Sequence, residues 1–116
     1  MCEAMRQARG ITPARYESLL AEKHAIRGRV RELAGDADAF IMLSASGPAP
    51  VGLQHTGSRT FLTHATFLGF PAFSLPLMSV DNMPLGLQVI GFPGRDRELC
   101  GIARWLVQTL ERPSQA

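Results

Sequence analysis

The stretch GFPAFSLPLMSVDNMPLGLQVIG, Gly69 to Gly91, limits the possible folds of this chain more than any other segment. It holds two apolar runs, Ala72 to Met78 and Leu85 to Gly91, separated by the polar segment SVDNMP. Short apolar runs bounded by turn formers read as strands, and Asp81-Asn82 accepts tight-turn geometry, so the two runs are expected to pair as a hairpin. Pro76 has no N–H to give a ladder, which places it near a strand end or on a sheet edge. Almost nothing in this stretch does acid–base or nucleophilic chemistry, so the hairpin reads as scaffold.

The flanking segments supply what the hairpin packs with. Thr12 followed by Pro13 marks a helix start, an N-cap oxygen and then a residue whose missing N–H costs nothing in the first turn. Tyr16, Leu19, Leu20, Ile26, Val30 and Leu33 recur at helical spacing and predict one buried face, with the helix ending near Gly35. Lys23, Arg27 and Arg31 fall at i, i+4 and i+8 and predict a solvated, like-charged stripe. Ala39 to Leu43 is an apolar run without alternation, which fits a strand covered on both faces in a parallel sheet. Ser44 to Arg59, with its glycines, prolines and serines, reads as a long loop of the kind that is functional or pinned. Ser58 is expected to cap the helix TFLTHATFL, closed by Gly69 in a left-handed conformation. Asp96 is expected to cap a last helix whose buried face is Leu99, Ile102, Ala103, Leu106 and Leu110, with Pro113 after its end. The predicted order is helix, strand, helix, β-hairpin, helix, an α/β arrangement, with residues 1–11 as a flexible start to one partial domain.

Length and composition narrow the function classes. At 116 residues the chain suits one small domain or part of one. Its composition, 46% hydrophobic and 19% charged, is that of a globular protein, and no apolar run is long enough to span a bilayer. The opening MCEAMRQARG has no apolar h-region, which points to the cytoplasm. Net charge is only +2, and one lysine, Lys23, stands against eleven arginines; neither calls for nucleic acid. Cys2 and Cys100 lie far apart without Cys-x-x-Cys spacing and read as free thiols, Cys100 buried on the last helix.

The chemistry-bearing residues are scattered. His24, His55 and His64 have no i, i+4 pairing that would bring two imidazoles to one metal ion, so neither a metal nor another cofactor is expected. Ser44 and Ser46 follow the apolar strand, a favoured position for active residues in α/β proteins, but lie in no Gly-x-Ser-x-Gly elbow and read as loop-capping serines. GFPGRDREL puts two glycines before a helix start yet lacks the Lys-Ser/Thr of a phosphate loop. A strand that wants cover on both faces, in a chain with only three strands, predicts that a further portion completes the sheet.

From Thr56 to Leu106 the sequence resembles the C-terminal end of the amidase signature family, whose members hydrolyse carboxamide C–N bonds. The match is carried by Gly69, Pro71-Ala72, Ser74 and Pro76, then Pro84, Gly86-Leu87-Gln88 and Gly91, followed by a helix. These are the family's Gly-x-Pro-Ala-x-Ser-x-Pro strand and Pro-x-Gly-Leu-Gln-x-x-Gly strand, in order and with the right gaps. Upstream, the helix from Thr12 and DADAFIML are similar to the helix and strand leading to the family's DALLTP segment. The sequence departs from the pattern at Leu43-Ser44-Ala45, where Thr-Pro is usual, and at Phe61-Leu62, where Phe-Asn is frequent.

The resemblance implies the C-terminal part of an α/β/α sandwich with a mixed sheet. It also implies that the family's catalytic lysine and two serines lie N-terminal to everything matched here; Lys23 matches none of those motifs. No catalytic residue is therefore assigned in this chain, and alone it is expected to be inactive. Thr56, Phe61 and Thr66 are expected to wall the substrate channel. The expected partners are a small-molecule amide, in the complete enzyme only, and an N-terminal half; oligomer formation is left open. Two further readings stand beside this one. The first is a non-catalytic module that docks on a separately encoded half. The second is a piece of a glutamyl-tRNA amidotransferase, the RNA-dependent branch of the same family.

Overall fold

A computed structural model describes residues 3–110. Its elements are α1 (Glu3–Arg9), α2 (Pro13–Glu32), β1 (Phe40–Leu43), α3 (Thr60–Leu68), β2 (Ala72–Val80), β3 (Met83–Ile90) and α4 (Asp96–Leu110), with a single 3₁₀ turn at Leu33–Gly35. Backbone contacts divide the chain between Glu32 and Leu33 into two compact units. Cys2 and Pro113, singled out in the sequence, lie outside the described residues.

The first unit holds α1 and α2. Thr12 caps α2 as its sequence predicts: its Oγ1 accepts from the Arg15 N–H at 3.2 Å and its carbonyl accepts from Tyr16 at 2.9 Å. Arg15 pairs with Glu22 at 3.2 Å two turns along, an exposed contact worth little to stability. The predicted apolar face is not buried. No residue of α2 is fully covered; Tyr16, Leu20 and Ile26 are exposed, and Leu19 and Val30 are half-buried. Periodicity marks the face a helix offers for packing, and here nothing within the unit takes it. The basic stripe departs from its expected exposure too, since Lys23 and Arg27 are half-buried.

The second unit is a three-stranded sheet of order β1-β3-β2. β2 and β3 form the predicted hairpin, but the connection is tighter than SVDNMP suggests: only Asp81 and Asn82 lie between the strands. Both have positive φ, 51° and 61°, the mark of a type I′ turn, whose twist matches that of the strands it joins. Glycine is favoured at the second position of such a turn. Asn82→Gly should therefore raise stability by about 0.5 kcal/mol, read as a small upward shift of the thermal midpoint; a decrease would mean that the Asn82 side chain holds the turn.

Pro76 falls where the ladder is interrupted, since the β2–β3 register shifts between Leu75↔Leu87 and Met78↔Leu85. Two residues of β2 there oppose the single Gly86, a bulge in which the missing proline N–H leaves no ladder acceptor unpaired. β1 pairs with β3 in an antiparallel sense, Phe40↔Ile90 through Leu43↔Leu87, and not in the parallel sheet its unbroken apolar run suggests. An apolar run reports burial and carries no strand direction. Nor is β1 covered on both faces, for Ile41 is exposed.

Side chains alternate across β3. Val89 faces α4 and joins Leu99 and Leu106 in the core, with Ala39, Leu75 and Ile102 packed around them. On the opposite face Ile90 is buried, and Phe92 just beyond it meets Phe40 and Phe70 with ring centroids 5.4 and 6.1 Å apart. Phe70 is fixed by the end of α3. Gly69 adopts the left-handed conformation (φ 64°, ψ 44°), and the Phe70 N–H returns to the Ala65 carbonyl at 3.0 Å, a Schellman closure that buries Phe70.

The last helix follows its sequence in most of its buried positions. Asp96 is its first residue and not its cap; Arg95 holds the cap position, its carbonyl accepting from Leu99 at 3.0 Å. Asp96 and Glu98 lie in the first turn, where negative charge is favoured. Leu110 is exposed and not buried as its spacing predicts, and so is Cys100, one step round from Leu99. Among the described residues no helix is long and apolar enough to cross a membrane.

Candidate functional site

Polar groups gather around Gly86. Ser44 leaves β1 directly opposite Gly86, and its N–H donates to the Gly86 carbonyl at 2.8 Å. Ser74, on the other side of β3, stands opposite Gln88. The two serine hydroxyls meet at 2.6 Å, one donating to the other. Strands on either side of a central strand are ordinarily about 9.5 Å apart, beyond the reach of two serines, so the outer strands must curl toward each other here. The β2 bulge supplies the bend. Gly86 leaves the space: a Cβ built there would lie 2.5 Å from the Ser44 hydroxyl and 2.9 Å from the Ser44 Cβ, and would overlap the Ser74 hydroxyl as well.

Gln88 shares this face with Ser74. It is 6% exposed, and its Oε1 has no hydrogen-bond partner in the described chain. A buried amide oxygen left unpaired costs about 1–3 kcal/mol, so a partner beyond the described residues, water included, is expected to meet it.

Beside Gly86 lies a cavity of about 460 Å³ between the Ala45–Ser58 loop, the start of α3 at Leu62 and β3 from Pro84 to Gly86. Its walls carry hydroxyls from Ser46, Thr56 and Ser58, one imidazole, His55, and no carboxylate, lysine or arginine. The loop pins itself locally. The Gly57 N–H donates to His55 Nδ1 at 2.9 Å, and Ser58 Oγ accepts from the Thr60 N–H at 3.2 Å while bonding the Thr60 hydroxyl at 2.7 Å. Ser58 thus helps start α3 as its sequence suggests, although the formal cap position falls to Arg59, which makes no side-chain cap bond. A wall of hydroxyls and apolar groups without lysine or arginine suits an uncharged polar ligand better than an anion.

The three channel residues named from the sequence do not share one wall. Thr56 lines the loop cavity, Thr66 lines a separate groove on α3 with Arg59, Thr63 and Phe67, and Phe61 is half-buried beside neither. Leu62 borders both spaces. Ser46 is exposed on the cavity wall, and Ser44, instead of capping its loop, bonds Ser74. The Ser44–Ser74 pairing is the feature that sequence reasoning missed. Ser74 and Gly86 stand out there only as motif positions, and their meeting with Ser44 depends on the three-strand order and the bulge. Among the described residues no group of three or more His, Cys, Asp or Glu side chains is placed to hold a metal ion.

No protein-family model matches the sequence, and neither does any curated protein. Solved structures do. The chain superposes on an amidase with a TM-score of 0.76 and 28% identity, over 94% of its own length and 29% of the amidase's. It also superposes on a 6-aminohexanoate cyclic dimer hydrolase, solved in complex with its substrate, with a TM-score of 0.74 and 24% identity, over 91% of this chain and 26% of the other. The α/β fold of this chain is therefore that of part of an amidase structure. The chain spans less than a third of the length of either protein.

Proposed function

We propose that this chain is the C-terminal part of an amide-hydrolysing enzyme of the amidase signature kind, and that it supports a catalytic centre carried elsewhere. The observation behind this reading is the superposition on a solved amidase over 94% of the chain at 28% identity. The residues that carry the sequence resemblance also have structural reasons to be what they are. Pro76 sits at the bulge, Gly86 leaves room for two serines, Gly69 closes α3 in a left-handed conformation, and Gly91 lies against Leu99. In this reading the hairpin and α4 form one flank of a larger sheet. The loop cavity with Thr56, and Phe61 and Thr66 on α3, border the path of a neutral carboxamide. The nucleophile and its activating lysine come from the N-terminal half. Ser44 and Ser74 are not assigned as nucleophiles, since each hydroxyl is bonded to the other and not to an imidazole or carboxylate.

The test has two parts. The native polypeptide is identified in its source cells through the tryptic peptide Thr60 to Arg95, and its intact mass is compared with the 12.6 kDa of this chain. The native species and the purified 116-residue chain are then assayed for hydrolysis of simple carboxamides. The expected result is turnover by the native species and background rates from the chain alone. Hydrolysis by the chain alone that disappears in Ser44→Ala or Ser74→Ala would place the nucleophile here and overturn the supporting role. No carboxamide turnover by any species that contains the chain would overturn the amidase reading itself.

A further inference from the structure

The loop cavity beside Gly86 contains one side chain whose hydrogen-bonding sense is fixed. His55 lines it, and His55 Nδ1 accepts the Gly57 N–H at 2.9 Å. Nδ1 therefore carries no hydrogen, and the hydrogen of the neutral imidazole lies on Nε2. A charged imidazole carries a hydrogen on Nε2 as well. In either state the atom that His55 can turn to a ligand is a donor. The bond that fixes it is local to His55-Thr56-Gly57: the side chain meets the N–H two residues on, and Gly57 takes a φ of 90°, in the region that favours glycine.

The other polar side chains of the wall are hydroxyls, which donate or accept according to what they meet. Ser58 Oγ already accepts from the Thr60 N–H and bonds the Thr60 hydroxyl. Ser46 and Thr56 carry the other two hydroxyls, both on exposed residues. A donor of fixed sense beside hydroxyls able to accept matches an uncharged carboxamide, whose carbonyl takes the first and whose N–H takes the second. If the amide that is cleaved lies at a nucleophile and oxyanion-binding groups from the N-terminal half, the groups of this cavity are left for another part of the substrate.

We propose that the substrate is a small diamide and that His55 selects it: Nε2–H donates to the carbonyl of the amide that is not cleaved, while the Ser46 or Thr56 hydroxyl accepts from that amide's N–H. Water cleaves the other C–N bond and gives the half-amide acid and ammonia. The inference rests on the amidase reading above. His55 sets specificity and takes no part in breaking the bond.

Two measurements test it. In the 116-residue chain at mildly alkaline pH, proton–nitrogen correlation spectra of the imidazoles should show His55 with its hydrogen on Nε2. A hydrogen on Nδ1 would remove the fixed donor and overturn the proposal. The second measurement is hydrolysis by the native species of butanediamide and of isocaproamide, its isostere with an isopropyl group in place of one carboxamide. The ratio of their kcat/KM values should favour the diamide by about tenfold or more. His55→Asn keeps an acceptor for the Gly57 N–H, as asparagine does in turns, but has no group at the Nε2 position; the ratio should fall about tenfold. His55→Gln keeps an N–H donor near that position and loses the turn acceptor; the ratio should stay within about threefold of the wild-type value. His64→Asn, on α3 and outside the cavity lining, is the control and should leave the ratio unchanged. The half-amide succinamate should react more slowly than the diamide, since its carboxylate meets no lysine or arginine on this wall. No preference for the diamide, faster hydrolysis of succinamate, or a ratio lost in His55→Gln and kept in His55→Asn would each overturn the proposal; the last would make His55 an anchor of its loop only. Turnover of simple carboxamides with any of these results leaves the amidase reading standing, whereas no turnover of any carboxamide overturns both.

Discussion

Leu99→Ala should lower the stability of the chain by about 3 kcal/mol, the largest effect expected of any single substitution here. Leu99 is 2% exposed, and with Val89 it is one of the two most completely buried large side chains. It occupies the centre of the α4–sheet contact, between Val89 and Leu106 and directly over Gly91, where a built Cβ would come within 3.1 Å of its side chain. That approach leaves the backbone little room to collapse into the space an alanine would open, so the cavity persists and its full cost is felt. In thermal unfolding followed by circular dichroism the midpoint should fall by roughly 15 °C. A loss under about 1 kcal/mol would show that α4 is held by its other contacts and that the core is not centred on Leu99.

Gly86→Ala should cost about 2 kcal/mol by the opposite mechanism, overpacking. The new methyl would meet both serine hydroxyls and the Ser44 Cβ. Rotating the hydroxyls away would break their mutual bond without moving that Cβ, so the curl of the outer strands has to relax. Ser44→Gly removes the Cβ and one hydroxyl together. In that background Gly86→Ala should cost at least about 1 kcal/mol less, and a double-mutant cycle on denaturation midpoints measures the difference. Additive costs would mean that Gly86 is needed for its backbone and not for the space it leaves.

How much of this is legible in the sequence depends on how local each cause is. The Gly69 closure of α3, the Thr12 cap of α2 and the pairing of two apolar runs across Asp81-Asn82 each follow from a few adjacent residues, and each is found. Pro76 marks its interruption correctly because a missing donor acts where it stands. The direction of β1 is hidden, since FIML reads the same in either sense and only the partner decides. Burial departs from expectation where helical periodicity implies a cover: α2 offers an apolar face that its own unit does not fill, and α4 leaves Leu110 exposed at its end. The candidate site is the least legible part. Ser44, Ser74 and Gly86 come from three strands or their ends, and no pattern within one strand indicates that two hydroxyls meet over a third. The amidase resemblance finds the motif positions without explaining them, and the bulge and the curl give part of the reason.

The order of strands also bears on how the chain acquires its structure. β2 and β3 are joined by two residues, and α4 follows after a short connection, so their contacts close small loops and can form early. β1 has no such neighbour; its partner, β3, is synthesised only after a long loop, a helix and another strand have passed. During synthesis Phe40 to Leu43 therefore leave the ribosome as an apolar segment whose β3-facing groups stay unpaired until Met83 to Ile90 emerge. That interval is when this chain is most exposed to mispairing, and its length is set by the strand order of the sheet.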